Sequence, residues 1–305
     1  MSQSRMMQTG IAVTVLAVAG FIGAKYYASS ITDEKIQGTL NDMPGMENIK
    51  YDNVSVDLLG GDVHVQDIEI SPLGGGKETV IEEIVIHDFD EDNDIPRYLN
   101  LSANGVNIEV TPANFGAATS TELKKMGYET IKASFDLIYE YNEDGKALEL
   151  NNLALHVADM GEASLGISLE NIDLENVDLE NPMTLMSVTQ ALKLKYARIK
   201  FDNDSLIEKL LAMDAKNRGM DVDDLVDQLE ADIEEQIKTA KNEGDEFSAS
   251  VLVAMLDFVK DPDSISITIK PERPISFEAL TILAMESEND PTYLVKALNL
   301  RVEAK

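Results

Sequence analysis

The chain has no cysteine. That excludes disulfides, thiolate metal sites, a cysteine nucleophile and a lipidated cysteine anchor, and it leaves the redox compartment open. Basic residues are scarce: 25 Lys and Arg stand against 56 Asp and Glu, for a net charge of −31. A surface that negative repels nucleic acid and anionic headgroups, so nucleic acid is not an expected partner. There is no Gly-x-Ser-x-Gly elbow. A phosphate loop needs Ser or Thr after its lysine, and Gly74-Gly-Gly-Lys-Glu78 puts Glu78 there. That stretch reads as a hairpin loop.

What is present is an ordinary globular composition, 44% hydrophobic and 27% charged, over 305 residues. Such a length buries a sizeable core. The bland meaning of the acidity is solubility; the sharper one is a surface for divalent cations or basic partners.

The N-terminus is apolar. Met6 to Ala24 carries no charge, and Lys25, Tyr26 and Tyr27 follow. A helix of about 20 such residues just spans a bilayer, with lysine and tyrosine suited to its edge. Residues 6–28 are therefore expected to anchor the chain in the inner membrane. Two alternatives compete. Ala17-Val18-Ala19 offers a signal-peptidase site, though behind a short apolar core, and the segment also suits a buried core helix. The acidic body is expected on the periplasmic side.

Residues 29–47 read as a neck, broken at Gly38, Pro44 and Gly45. Residues 48–202 read as a β-rich domain. Val63-His-Val65 and Ile68-Glu-Ile70 alternate on either side of Gln66-Asp67, which has the look of a bulge. Ile131, Ala133, Phe135, Leu137, Tyr139 and Tyr141 alternate strictly, and Asn142-Glu-Asp-Gly145 turns the chain back. Leu148–Val157 and Ala163–Leu169 complete an antiparallel meander with one apolar face. Leu169-Glu-Asn-Ile-Asp and Leu174-Glu-Asn-Val-Asp repeat a phrase, too briefly for a solenoid. Residues 203–305 read as a helix-rich C-terminal subdomain with short strands. Its helices start near Asp204, Asp221 and Glu246, and one strand is marked by Ile265, Ile267 and Ile269. The expected fold class is α+β: a transmembrane helix, a curved and mainly antiparallel sheet, then that subdomain.

Candidate chemistry is sparse. His64, His87 and His156 are scattered in strands without a metal-binding spacing. Asp88-Phe-Asp-Glu-Asp-Asn-Asp94 is the densest carboxylate run, and hard oxygens suit calcium. Asp88, Asp90 and Asp92 match the first three ligand positions of an EF-hand loop, with Asp94 close by. Asn93 stands where glycine is needed and Leu99 where the bidentate Glu belongs. The run reads as a solvated loop, with a weak calcium site at Asp88, Asp90, Asp92 and Asp94 as the alternative. No cofactor and no catalytic residue is expected.

The stretch Tyr51-Asp-Asn-Val-Ser-Val-Asp-Leu-Leu-Gly-Gly-Asp-Val-His-Val-Gln-Asp-Ile-Glu-Ile70 resembles the opening of bacterial AsmA-like and YdgA-like envelope proteins. Phe258-Val-Lys-Asp-Pro262 and Ile269-Lys-Pro-Glu-Arg-Pro274 resemble the C-terminal part of anchored proteins of that kind. The resemblance implies an extended sheet facing the periplasm, with an apolar groove for lipid. It carries over no site residues. The expected function is non-catalytic: binding a lipid or another hydrophobic ligand in envelope maintenance. The alternatives are a scaffold for another envelope protein and, last, an enzyme.

Overall fold

The computed structural model describes residues 49–57, 61–70, 79–90, 93, 96–173, 191–287 and 292–305. The chain divides into two units: residues up to Ile138 with Leu155–Ala158, and Tyr139–Ala154 with Asp159–Lys305.

In the first unit, alternating apolar residues drive five strands: β1 (Ile49–Lys50), β2 (Asn53–Val56), β3 (Val63–Ile70), β4 (Thr79–Phe89) and β5 (Tyr98–Glu109). They pair antiparallel in the order β1-β3-β4-β5, and β2 also lies on β3. The register sets Val54 by Val65, Val65 by Ile84 and Ile84 by Ala103. These side chains share one face and are buried. A fully buried branched side chain contributes up to about 3 kcal/mol, so this face dominates the unit's stability. Two short helices follow, α1 (Pro112–Phe115) and α2 (Ala117–Lys125). The Thr111 side chain caps α1 by accepting from the Asn114 amide, and proline opens the helix where its missing N–H costs nothing.

One row of this sheet breaks the alternation. Two successive residues leave the core in each strand: Gln66 and Asp67, Glu82 and Glu83, Asn104 and Gly105. Burial resumes at Ile68, Ile81 and Val106, which still pair with one another. Asp67 and Gly105 hold left-handed backbones, with φ of 53° and 65°. Such a residue turns the strand about its axis and restores the apolar face after the interruption. Gln66↔Glu83 and Ile68↔Ile81 keep one register, so Gln66-Asp67 is not the one-strand bulge expected from sequence but one member of a row three strands wide. Glycine suits the left-handed backbone at 105, and a Cβ there would need the exposed Glu82 side chain to swing aside.

β6 (Thr130–Asn142) gives its first part to this unit and its end to the second. The second unit continues with β7 (Ala147–Val157, to Ala154), β8 (Gly161–Glu170), β9 (Lys193–Asn203), β10 (Ser264–Ile269), β11 (Ile275–Ser276) and β12 (Arg301–Ala304). The order is β7-β8-β9-β10-β12, with β11 on β9. Its helices are α3 (Leu206–Arg218), α4 (Val222–Glu243), α5 (Glu246–Lys260), α6 (Phe277–Glu286) and α7 (Thr292–Leu298). Gly219 and Gly244 end α3 and α4 in left-handed caps. Leu225, Ile233 and Ile237 form the buried stripe of α4, which packs on α3 and α5. α5 also packs on β10 and β12.

This corrects the fold class expected from sequence. Residues 203–305 are not a helix-rich subdomain of their own. β9, which ends at Asn203, pairs with β10 from Ser264↔Asp202 to Ile269↔Ala197, and β10 in turn pairs with β12. Helices α3–α5 are an excursion between two neighbouring strands of a large antiparallel sheet. The transmembrane helix of that fold class is not found either: among the described residues no helix is long and apolar enough to cross a membrane. The longest, α4, places Asp, Glu and Lys throughout its 22 residues. The segment expected to span, residues 6–28, and the neck at 29–47 lie outside the described residues.

Candidate functional site

Registers in the second unit sort its strands into two faces. One face carries the cross-strand rows Ala163–Phe201–Ile265–Ala304, Leu165–Ile199–Ile267–Val302 and Ile167–Ala197–Ile269. A bulge in β9 at Lys195 shifts the pairing by one, and the next row is Leu169–Leu194–Ile275. Every position in these four rows is Ala, Val, Leu, Ile or Phe. From Ala163 to Leu169 it runs about 20 Å, at roughly 3.3 Å per residue. The other face carries Glu162, Ser164, Ser168, Arg198, Lys200, Ser264 and Ser266.

Burial does not follow polarity here. The apolar pair at the centre of the face is open, Ile199 at 56% and Ile267 at 41% exposure, whereas Ser168, Ser264 and Ser266 are buried. Neighbouring isoleucines left in water at the middle of a sheet mark a surface built to be covered. Nearby charge is internally balanced. Lys195 Nζ lies 3.6 Å from Glu149 and 3.8 Å from Glu170, and Lys200 pairs with Asp202. The face therefore offers hydrocarbon contact and no hydrogen-bonding group of its own side chains.

The residues singled out from sequence lie elsewhere. Asp90 is buried, and its carboxylate accepts from Asn93 Nδ2 at 2.8 Å and from the Arg97 amide at 2.8 Å. That makes it the organiser of its own turn. Asp88 Oδ1 accepts from the Phe89 amide at 3.0 Å. Asp92 and Asp94 lie outside the described residues, as does the loop at 74–78. Among the described residues no three His, Asp or Glu side chains are placed to hold a metal. A crevice of about 570 Å³ beside α4 and α5 is lined by Asp232, Glu235, Glu243 and Asp245, a setting unsuited to an apolar ligand.

The histidines serve cross-strand polar rows in the first unit. His64 Nδ1 lies 3.0 Å from Glu83 Oε1, and Gln66 Nε2 donates to the same oxygen at 3.3 Å. The His64 hydrogen bond holds the Glu83 carboxyl below its usual range; partial burial opposes this and Gln66 assists. His87 Nδ1 lies 3.1 Å from Asp62 Oδ2, and His87 Nε2 lies 3.3 Å from Ser102 Oγ. The order carboxylate–imidazole–hydroxyl is that of a nucleophile and its base. Here, however, the Ser102 hydroxyl donates to Asp136 at 2.7 Å, so its proton is directed away from the imidazole. His87 occupies the irregularity of β4 between Ile86 and Asp88, which aims it at both partners. His156 lies in β7.

Residues 154–305, which hold most of the apolar face, match a family model described as "Uncharacterized protein". No curated protein matches the chain. Neither finding bears on the resemblance to AsmA-like and YdgA-like proteins.

Proposed function

We propose that the chain is a binding protein of the bacterial cell envelope, and that the apolar face of its second sheet holds the hydrocarbon part of a lipid or similar hydrophobic ligand. The observation that carries this reading is the row Leu165–Ile199–Ile267–Val302, whose two central side chains stand in water. Removing such surface from water is favourable at about 25 cal/mol per Å², so an acyl chain laid along β8 to β12 is held without any polar anchor. The face matches the length of an extended long-chain acyl group. Location at the inner membrane, with the body on the periplasmic side, is part of the proposal; its support is the charge-free sequence from Met6 to Ala24 and the acidity of the remainder.

The test is a photo-crosslinking amino acid placed at Ile199 in the full chain, in cells. A lipid-mass adduct at this position, absent when the crosslinker replaces the exposed Glu234 of α4, supports the reading. No lipid adduct at Ile199, with the protein folded, refutes it. A protein adduct there instead would favour the scaffold reading.

A further inference from the structure

Arginine is rare in this chain, with six residues against 56 Asp and Glu. Two of the six stand in one cross-strand row on the polar face of the second unit. Gly166 of β8 pairs with Arg198 of β9, Arg198 with Thr268 of β10, and Thr268 with Arg301 of β12. Directly paired residues share a side of the sheet, so both arginines rise from one face with Thr268 between them. Both are exposed, and Thr268 is half-buried. In so acidic a chain a cation readily finds a carboxylate: Arg218 Nη2 lies 3.0 Å from Asp214, and Lys200 pairs with Asp202. Among the described residues Arg198 and Arg301 have no such partner; Arg198 Nη2 reaches only Ser266 Oγ, at 3.5 Å. The adjoining row, Ser164–Lys200–Ser266–Glu303, holds one acid, Glu303, and it makes no ion pair with Arg301.

We propose that Arg198 and Arg301 form a binding site for the phosphate of a small, soluble phosphomonoester. Spacing supports this. The two arginines are two strands apart, about 9.6 Å at roughly 4.8 Å per strand, and side chains stand nearly perpendicular to a sheet. A phosphate midway between them lies about 5 Å from each guanidinium, which brings its oxygens to charge-assisted hydrogen-bond distance of both forks. The Thr268 hydroxyl beneath supplies a further donor, and Gly166 places no side chain beside Arg198 on β8. A tetrahedral dianion uses all of these groups. A carboxylate brings two oxygens and one charge, too few for two forks and a hydroxyl.

Charge decides the size of the ligand. A net charge of −31 repels a polyanion or an anionic bilayer, each of which must lie over a broad area of the surface. A compact anion responds chiefly to charges within a Debye length, about 8 Å at physiological ionic strength. On that scale Lys200 and Asp202 cancel, and the two arginines outweigh Glu303. The site lies on the face opposite the apolar rows, so it stands or falls apart from the reading of that face as a lipid surface.

The test titrates inorganic phosphate into the full chain, held in a neutral detergent at constant ionic strength and at a pH where phosphate is a dianion. Isothermal titration calorimetry reads the affinity. The expected result is one phosphate per chain, weakened about fivefold by Arg198→Gln and by Arg301→Gln, the scale of an exposed ion pair. Arg301→Lys keeps the charge but not the fork, and should recover only part of the loss. Glu303→Gln should tighten binding. Arg218→Gln removes an arginine that Asp214 already holds and should change nothing. All four positions are exposed, so the variants should fold, which circular dichroism verifies. The absence of phosphate binding overturns the proposal. So does equal weakening by Arg218→Gln, which would mean diffuse attraction, and so does a loss confined to one of the two arginines, which would leave no clamp.

Discussion

Truncating Ile199 separates a ligand surface from a core. Fully burying an isoleucine contributes up to about 3 kcal/mol, and Ile199 keeps more than half of its surface in water. Ile199→Ala should therefore cost the folded chain only about 1 kcal/mol, including the loss of a β-branched residue from a strand. Leu225 in α4 belongs to the same unit and is fully buried. Leu225→Ala leaves a cavity and should cost about 3–4 kcal/mol. Urea unfolding followed by far-ultraviolet circular dichroism reads both, provided the slope against denaturant is unchanged. Ile199→Ala should move the midpoint by about a third as much as Leu225→Ala, on the same energy scale. Equal shifts would refute the reasoning: the face around Ile199 would then be packed core and no binding surface.

Two further outcomes follow from the geometry. Gly161 opens β8 at φ +137°, and a Cβ there would strike the backbone carbonyl of Asp202 on β9. Gly161→Ala should cost about 3 kcal/mol and lower the unfolding temperature by roughly 10 °C, read by calorimetry; an unchanged transition would contradict the close approach. Glu83 has its folded-state pKa lowered chiefly by His64, so the pair stabilises the fold at neutral pH. That contribution is lost as pH falls through the point where Glu83 takes up its proton. His64→Ala should therefore be less stable than the parent at neutral pH, with the gap closing in acid; a gap that stays constant across the carboxylate range would show the His64–Glu83 contact to be without effect.

Local pattern made part of the fold legible. The strict alternation from Ile131 to Tyr141 is β6, and the turn after it lies where Asn142-Glu-Asp-Gly145 predicts. The turn chemistry differs in detail: the positive φ of 45° falls on Lys146, and Gly145 donates its amide to Asn142 Oδ1 at 2.7 Å. Ser276 caps α6, its side chain accepting from the Ala279 amide. The C-terminal plan was not legible, for a physical reason. β11 has two residues and β12 four, too few for a period, and β10 finds β9 across three helices. The site was half legible. Alternation shows that Ile265, Ile267 and Ile269 share a face; only tertiary packing decides whether that face is covered. Asp90 shows the converse, since composition marks it as one acid among several while its turn buries it.

The interrupted row in the first sheet also governs which misfolded pairings the chain can reach. A slip of one residue between neighbouring strands is costly anywhere, because it turns the apolar set toward water. A slip of two ordinarily preserves the faces and is the error that uniform strands commit. In β3, β4 and β5 it would not be silent. Sliding β4 by two places against its neighbours would bring the outward pair Glu82 and Glu83 beside stretches where β3 and β5 have resumed their inward side chains. The left-handed turns at Asp67 and Gly105 would then face regular strand. The three interruptions fit only one alignment, like the wards of a key. By the same logic, lengthening one of these strands by two residues on one side of the row demands a matching change in the strands beside it.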